Sequence, residues 1–371
     1  MKLIINKGDF LEGLQSVQKA VASKTTLPIL TGILIETLDQ SKIKIAATDM
    51  EIGIEAIVSG EVMEKGKIVL PAKYLVEIVR KLGDNPIEIS VDKQNNTADI
   101  HSGYFKMTIH GYSAEEFPVI PWINNGFAFG IEQPLLKEMV RQTSFAVSHD
   151  ETRPFLTGVL ISLGDKLRLV ATDGHRMALR EADFALEEEE GRPRGVIVPY
   201  KAINELSRML GDQENSEVQI VIGENQVSFQ IEELRLITRL IEGQFPSYQQ
   251  VIPEGYKTKI RLNREDLADA LERASLIVRG ESNTVKVILQ GDKVILTSNT
   301  PEVGKSQEEV ACFLEGEELQ IAFNFKYLLD VLKVMESEEV VINFTGSLSP
   351  GVVRPAEIEN YTYIIMPVRS H

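Results

Sequence analysis

The chain has 371 residues, with 39 Lys and Arg against 55 Asp and Glu, a formal net charge of −16 and 43% hydrophobic residues. At roughly 150 residues per domain this length predicts two or three domains, and the apolar fraction argues against disorder. One cysteine, Cys312, and five scattered histidines argue against a disulfide framework and a zinc cluster, and no run approaches the roughly 20 apolar residues of a membrane helix.

In chain order, Met1 to Lys7 holds too short an apolar run for a signal peptide, so a reducing cytoplasm is the expected compartment. Asp9 to Ala22 places Phe10, Leu11, Leu14, Val17 and Val21 at helical spacing. Lys42 to Ala46 alternates with period two, as do Ile54 to Val58, Ile87 to Val91 and Phe105 to Ile109, which predicts half-buried strands. A second helix is predicted from Ala72 to Leu82, entered from Pro71 and closed at Gly83.

The pattern then recurs. Leu27-Pro28-Ile29-Leu30-Thr31-Gly32 returns as Arg153-Pro154-Phe155-Leu156-Thr157-Gly158, and Ala46-Ala47-Thr48-Asp49 as Val170-Ala171-Thr172-Asp173. Val69-Leu70-Pro71-Ala72-Lys73 returns as Ile197-Val198-Pro199-Tyr200-Lys201, and Phe117-Pro118 as Phe245-Pro246. A fainter third copy has Lys293 to Asn299 in place of the Ala-Thr-Asp strand, and Phe323 to Tyr327 in place of the helix start. Three units are expected, 1–124, 125–253 and 254–371, each too long for a solenoid repeat and therefore a domain. Each should carry two helices and about eight short strands, an α+β fold of antiparallel sheets covered on one face by helices.

Enzyme motifs are sparse. Asp173 and His175 invite a general-base reading, which predicts turnover lost in Asp173→Asn. Thr48-Asp49 occupies the equivalent place without a histidine, which favours a turn whose side chains satisfy backbone groups. Phosphate-binding glycine loops and nucleophile elbows are absent, and Glu187 to Glu190 reads as a solvated loop. No catalytic residue, metal site or cofactor is assigned.

The second helices are more informative. Lys73 and Arg80, Lys201 and Arg208, and Lys326 and Lys333 are each seven apart, which puts each pair on one helix face. Glu77, Glu205 and Asp330 lie four residues after the first base, in reach of a local pair with it. Each unit holds 13 Lys and Arg, whereas Asp and Glu number 16, 20 and 19. Three matching basic faces on an acidic chain predict weak, sequence-independent, salt-sensitive contact with duplex DNA. Lys24, His149 at the comparable loop, and Arg279 are further candidates.

The Thr-Gly, Ala-Thr-Asp and Pro-x-Lys landmarks, together with Thr172-Asp173-Gly174-His175-Arg176 and the ending Tyr363 to Arg369, resemble the bacterial DNA polymerase III beta subunit, the replicative sliding clamp, over essentially the whole chain. The resemblance implies three similar domains in a crescent, two crescents closed head to tail into a homodimeric ring, helices lining the hole and sheets outside. It implies no catalysis: the ring encircles duplex DNA and tethers the polymerase, clamp loader and repair proteins through short linear peptides. The peptide cleft would lie between the second and third units, at Arg153, Leu156, Thr172, Gly174, His175, Arg176, Met177, Pro246, Val251, Ile364, Ile365, Met366 and Pro367. The dimer joint would fall on Met107 and Ile109 in one strand and Leu276 and Ile277 in one helix, with Lys73 and Lys106 facing Glu302 and Glu308. Departures are Ser370-His371 after the usual ending and Gln249-Gln250 where a basic residue is common; Ser347 to Gly351 matches a variable segment. A three-domain scaffold with no role on DNA is the alternative.

Overall fold

The computed structural model describes residues 1–184, 193–278, 283–301 and 303–368. Every neighbouring strand pair among them is antiparallel. Among the described residues six α-helices accompany the sheets: α1 (Lys7–Val17), α2 (Ala72–Lys81), α3 (Gln133–Thr143), α4 (Tyr200–Met209), α5 (Arg264–Ser275) and α6 (Phe325–Val334). The first helix ends earlier than its apolar spacing predicts, because Gln18–Ala20 tightens into a 3-10 turn. Recurrent asparagines start the helices: Asn6, Asn263 and Asn324 each accept a backbone N–H of the first turn, satisfying donors that have no partner within the helix.

The chain forms two compact units, and both straddle repeats. The first contains residues 1–136 and 204–240. Its 12-stranded sheet is organised by the long strand Ile52–Glu64, which pairs with Lys2–Ile5 at one end and with Leu234–Arg239 at the other. The sheet therefore runs without a break from the first repeat into strands of the second. Gly13 lets α1 approach it closely: a Cβ there would sit 2.8 Å from Ile45 Cδ1 and 2.9 Å from Val58 Cγ1. At the same junction Arg235 donates to the buried Glu55 carboxylate, and its guanidinium lies 3.6 Å from the Trp122 ring centroid.

The second unit contains residues 137–203 and 241–371. Its nine-stranded sheet again crosses a repeat junction, where Arg176–Asp183 pairs with Tyr361–Ile365. A separate four-stranded sheet ends on Gly304–Ala311. Gly304–Ala311 and Phe313–Gly316, separated by Cys312, belong to different sheets, so the third repeat breaks into two strands what the first keeps as one. The helices α5 and α6 pack on each other in this unit, as α1 and α2 do in the first. Glu187 to Glu190 lie outside the described residues.

Candidate functional site

The Thr-Asp motif closes the same turn twice. In the second repeat Thr172 Oγ1 donates to the Arg176 carbonyl (2.6 Å), and Asp173 Oδ1 accepts the backbone N–H groups of His175 (2.8 Å) and Arg176 (2.9 Å). In the first, Thr48 Oγ1 donates to the Ile52 carbonyl (2.8 Å), and Asp49 Oδ1 accepts from Glu51 (3.0 Å) and Ile52 (2.9 Å). The Asp173 carboxylate is thus engaged in holding backbone, as an Asx turn requires. Gly174 takes φ +89°, where a Cβ is disfavoured.

This turn forms one end of an apolar cavity of about 310 Å³ at the junction of the second and third repeats. Ten residues selected from the sequence line it: Arg153, Leu156, Thr172, Gly174, Arg176, Met177, Pro246, Val251, Ile364 and Met366. Strand pairing brings them together, since Met177 lies directly across from Ile364. Met177 and Ile364 are buried and belong to the local core, whereas Val251 and Met366 stand half-exposed at the mouth. The terminal strand alternates: Ile364 faces the cavity, while Ile365 is fully buried and does not line it. His175 and Pro367 do not line it either. The carbonyl of His175 accepts the Met366 N–H (2.9 Å), so His175 places that methionine through backbone. Phe155, Ser247 and Tyr248 also line the cavity and were not selected from the sequence. Their signal lay in the repeat itself, beside Pro154 and in the Phe-Pro segment.

Arg176 connects the cavity to α6. Its guanidinium donates to Asp173 Oδ2 (3.0 Å), to Asp330 Oδ2 of α6 (2.5 Å) and to the Phe145 carbonyl (2.8 Å), and its carbon lies 4.3 Å from the Tyr327 ring centroid. Burial disfavours the charge on Arg176, but the Asp330 and Asp173 carboxylates stand against it and the proton is held more tightly than usual. Burial also pushes the Tyr363 phenol well above its ordinary range, so Tyr363 stays neutral and donates to the Tyr327 carbonyl (2.9 Å).

The basic helix faces are exposed as expected, but the local ion pairs differ. Glu77 pairs with Arg80 (2.5 Å) and Glu205 with Arg208 (2.9 Å), while Asp330 turns to Arg176 and Lys333 pairs with Glu272 of α5 (3.2 Å). The interposed acid therefore neutralises the later base or a distant one. Lys73 and Lys326 are left exposed without an ion pair among the described residues. Lys24 and His149 are exposed in loops, and the His149 ring meets Tyr200 edge-on. Arg279 lies outside the described residues.

The expected dimer positions divide. Met107 is exposed, but Ile109 is 8% exposed and buried, so it is not the open apolar site anticipated. Just beyond it the chain turns onto the strand Lys67–Pro71, where the Tyr112 N–H donates to the Val69 carbonyl (2.8 Å), and this covers Ile109. Leu276 is 78% exposed and Ile277 half-buried; Leu276 caps the C-terminus of α5 and Ile277 follows it, so neither is in the helix body. Lys106 is exposed, but Glu308 is taken by Arg273 (2.9 Å), and Glu302 lies outside the described residues, as do Arg369, Ser370 and His371.

Fold and site together define a repeated-domain β-sheet protein with an apolar cavity at a repeat junction. Family models cover nearly the whole chain: the DNA polymerase III beta subunit N-terminal domain matches residues 1–121, the central domain 130–247 and the C-terminal domain 249–369. The chain belongs to the DNA polymerase III beta subunit family. It is 40% identical to the beta sliding clamp of Bacillus subtilis and 38% to that of Halalkalibacterium halodurans, each over 100% of both chains. The crystal structure of the DNA polymerase sliding clamp from Bacillus subtilis superposes with a TM-score of 0.94 at 39% identity, covering 100% of both chains. A sliding clamp from Pseudomonas aeruginosa bound to griselimycin gives 0.94 at 32% identity, again over 100% of both.

Proposed function

We propose that this chain is the processivity subunit of a replicative polymerase. Two copies close head to tail around duplex DNA, and each holds partner proteins by short peptides in the cavity at Met177 and Met366. It acts in the cytoplasm and has no active site of its own. The three domains are 1–124, 125–253 and 254–371. The observation that carries the reading is the cavity: ten residues chosen by motif, scattered from 153 to 366, converge on one apolar groove. Its volume is at the small end of ligand clefts, roughly 300–1,000 Å³, which suits a few anchoring side chains of an extended peptide. Polarizable Met177 and Met366 let it accept partners that differ. The defining experiment is retention on DNA. A dimer of twice the chain mass should stay on nicked circular DNA and slide off once the circle is cut; retention on linear DNA with free ends would overturn the ring.

DNA contact in this reading is electrostatic. Charge reversal at Lys73, Lys201 and Lys326 should impair loading and flatten the dependence of log affinity on log salt, by about 0.9 for each lost phosphate contact. Filter binding across a salt series measures the slope, and an unchanged slope would take these helices out of the interface.

For the dimer, Leu276→Asp is the cleaner variant because the side chain is already exposed. Together with Ile277→Asp it should give folded monomers by light scattering. Dimers of unchanged mass would place the joint elsewhere.

A further inference from the structure

Beside the cavity at Met177 the nine-stranded sheet presents three successive cross-strand rows on one face. Thr172, Met177 and Ile364 are paired side by side, and all three line the cavity. Two residues along each strand, where side chains return to the same face, stand Leu160, Val170 and Leu179, again directly paired. Two residues further come Ser162, Arg168 and Glu181, with Arg168 Nε donating to Glu181 Oε1 at 2.6 Å. The second row is apolar and buried and lies outside the cavity lining; the third is polar.

Tyr248 divides the cavity from the last two rows. It lines the cavity, is 6% exposed, and belongs to the same buried cluster as Leu160, Val170 and Leu179. Its hydroxyl end lies toward the third row: burial raises the phenol above its ordinary range, and the charges acting on it are Arg168, Glu181 and Asp165. The ring therefore covers the second row and closes the cavity along the strand direction.

Tyr248 is carried there on a strap. The Ile241 N–H donates to the Ile197 carbonyl (2.9 Å) and the Lys257 N–H to the Phe344 carbonyl (2.8 Å). Between them the backbone bonds among the described residues are internal to the strap: Tyr248 to Pro246 (2.7 Å), Gln250 to Ser247 (3.2 Å) and Ile252 to Gln249 (3.3 Å). Side chains hold this segment on the sheet, and Tyr248 is the buried member of its 3-10 turn, Tyr248–Val251.

We propose that Tyr248 is a specificity-determining residue, the end wall that limits how long an apolar side chain the cavity admits. The inference rests on the peptide-cleft reading above and deepens it. Without the ring, the apolar floor would run on over Leu160, Val170 and Leu179, a gain of two residues of strand or about 7 Å, before meeting Arg168. A long, rigid aromatic anchor would then lie on that floor, where the parent chain presents the face of a tyrosine.

The probe is a labelled polymerase-tail peptide in two forms, with phenylalanine or the longer 4-biphenylalanine as its largest apolar side chain. Fluorescence anisotropy on the full chain gives the ratio of the two affinities. In the parent the phenylalanine form should bind at least fivefold tighter. Tyr248→Phe keeps the ring and should keep the ratio. Tyr248→Ala should bring the ratio to one or reverse it. Tyr248→Leu retains apolar packing on the second row and should shift the ratio the same way, so it decides the matter if the alanine variant unfolds. A merely structural tyrosine would weaken both forms in parallel. An unchanged ratio in Tyr248→Leu at a retained thermal transition therefore overturns the proposal, as does a parent that binds both forms equally. A parent that binds neither form removes the cleft reading itself, and the wall with it, so the two failures are told apart by the parent chain alone.

Discussion

Arg176→Ala should destabilise the second unit by about 3–5 kcal/mol, the range seen when one partner of a buried ion pair is removed. Arg176 is 9% exposed and donates to two carboxylates and one carbonyl. Alanine leaves the nearly buried Asp173 without its guanidinium and the Phe145 carbonyl without its donor, and removes the cation from the face of Tyr327. For a cooperative unit of this size the melting temperature should fall on the order of 10 °C. Arg176→Lys should recover only part of the loss, because an ammonium cannot reproduce the planar fork that spans both carboxylates. Asp330→Ala should cost far less, under about 1 kcal/mol, since that carboxylate is substantially exposed and its pair is screened. Calorimetry on the three variants decides the matter; an Arg176→Ala transition within about 2 °C of the parent would show that the turn holds itself without the guanidinium.

How much of this was legible in the sequence depends on whether a feature is periodic or tertiary. The repeats exposed the domain count, the Thr-Asp turn and the basic helix faces, because each is a local pattern copied two or three times. The continuity of each sheet across a repeat junction was not legible. Antiparallel pairing of Leu234–Arg239 with Ile52–Glu64 joins residues about 180 apart, and no local pattern announces it. Ile365 was separable from Ile364 by period two alone, a distinction the motif as a whole blurred. Ile109 follows the same alternation as Met107, yet it is buried by the return of Tyr112 to Val69, a tertiary event. The helix ion pairs turned on rotamers: Glu77 and Glu205 reach forward three residues to arginine and do not reach back four to lysine. The consequence is functional in the proposed reading, because Lys73 and Lys326 keep their charge available for phosphate.

Ending the chain at Ile365 should weaken peptide binding roughly tenfold while leaving the fold intact. This cut removes Met366, which lines the cavity mouth at 41% exposure, together with Pro367, the residues after it and the backbone bonds of Met366 to His175 and of Val368 to Ala322, and spares every residue of the terminal strand Tyr361–Ile365. Covering a methionine of that size contributes about 1–2 kcal/mol to a bound peptide, allowing for the part that stays in water, which is a factor of about 5–30 in affinity. A cut after Tyr363, the shorter form suggested by the motif alone, is a different experiment. It also removes Ile364 and Ile365, both essentially buried and both bonded into the sheet. Losing a buried isoleucine costs about 2–5 kcal/mol even when the backbone remains, so that truncation should loosen the second unit itself and lose binding for an uninformative reason. Fluorescence anisotropy with a labelled polymerase-tail peptide, run beside thermal unfolding, distinguishes the two. The expected pattern is weaker binding at an unchanged transition for the cut at Ile365, and loss of both for the cut at Tyr363. Unchanged affinity after removal of Met366 would remove that methionine from the binding surface and leave the buried floor at Met177 and Ile364 as its only apolar anchor from these two strands.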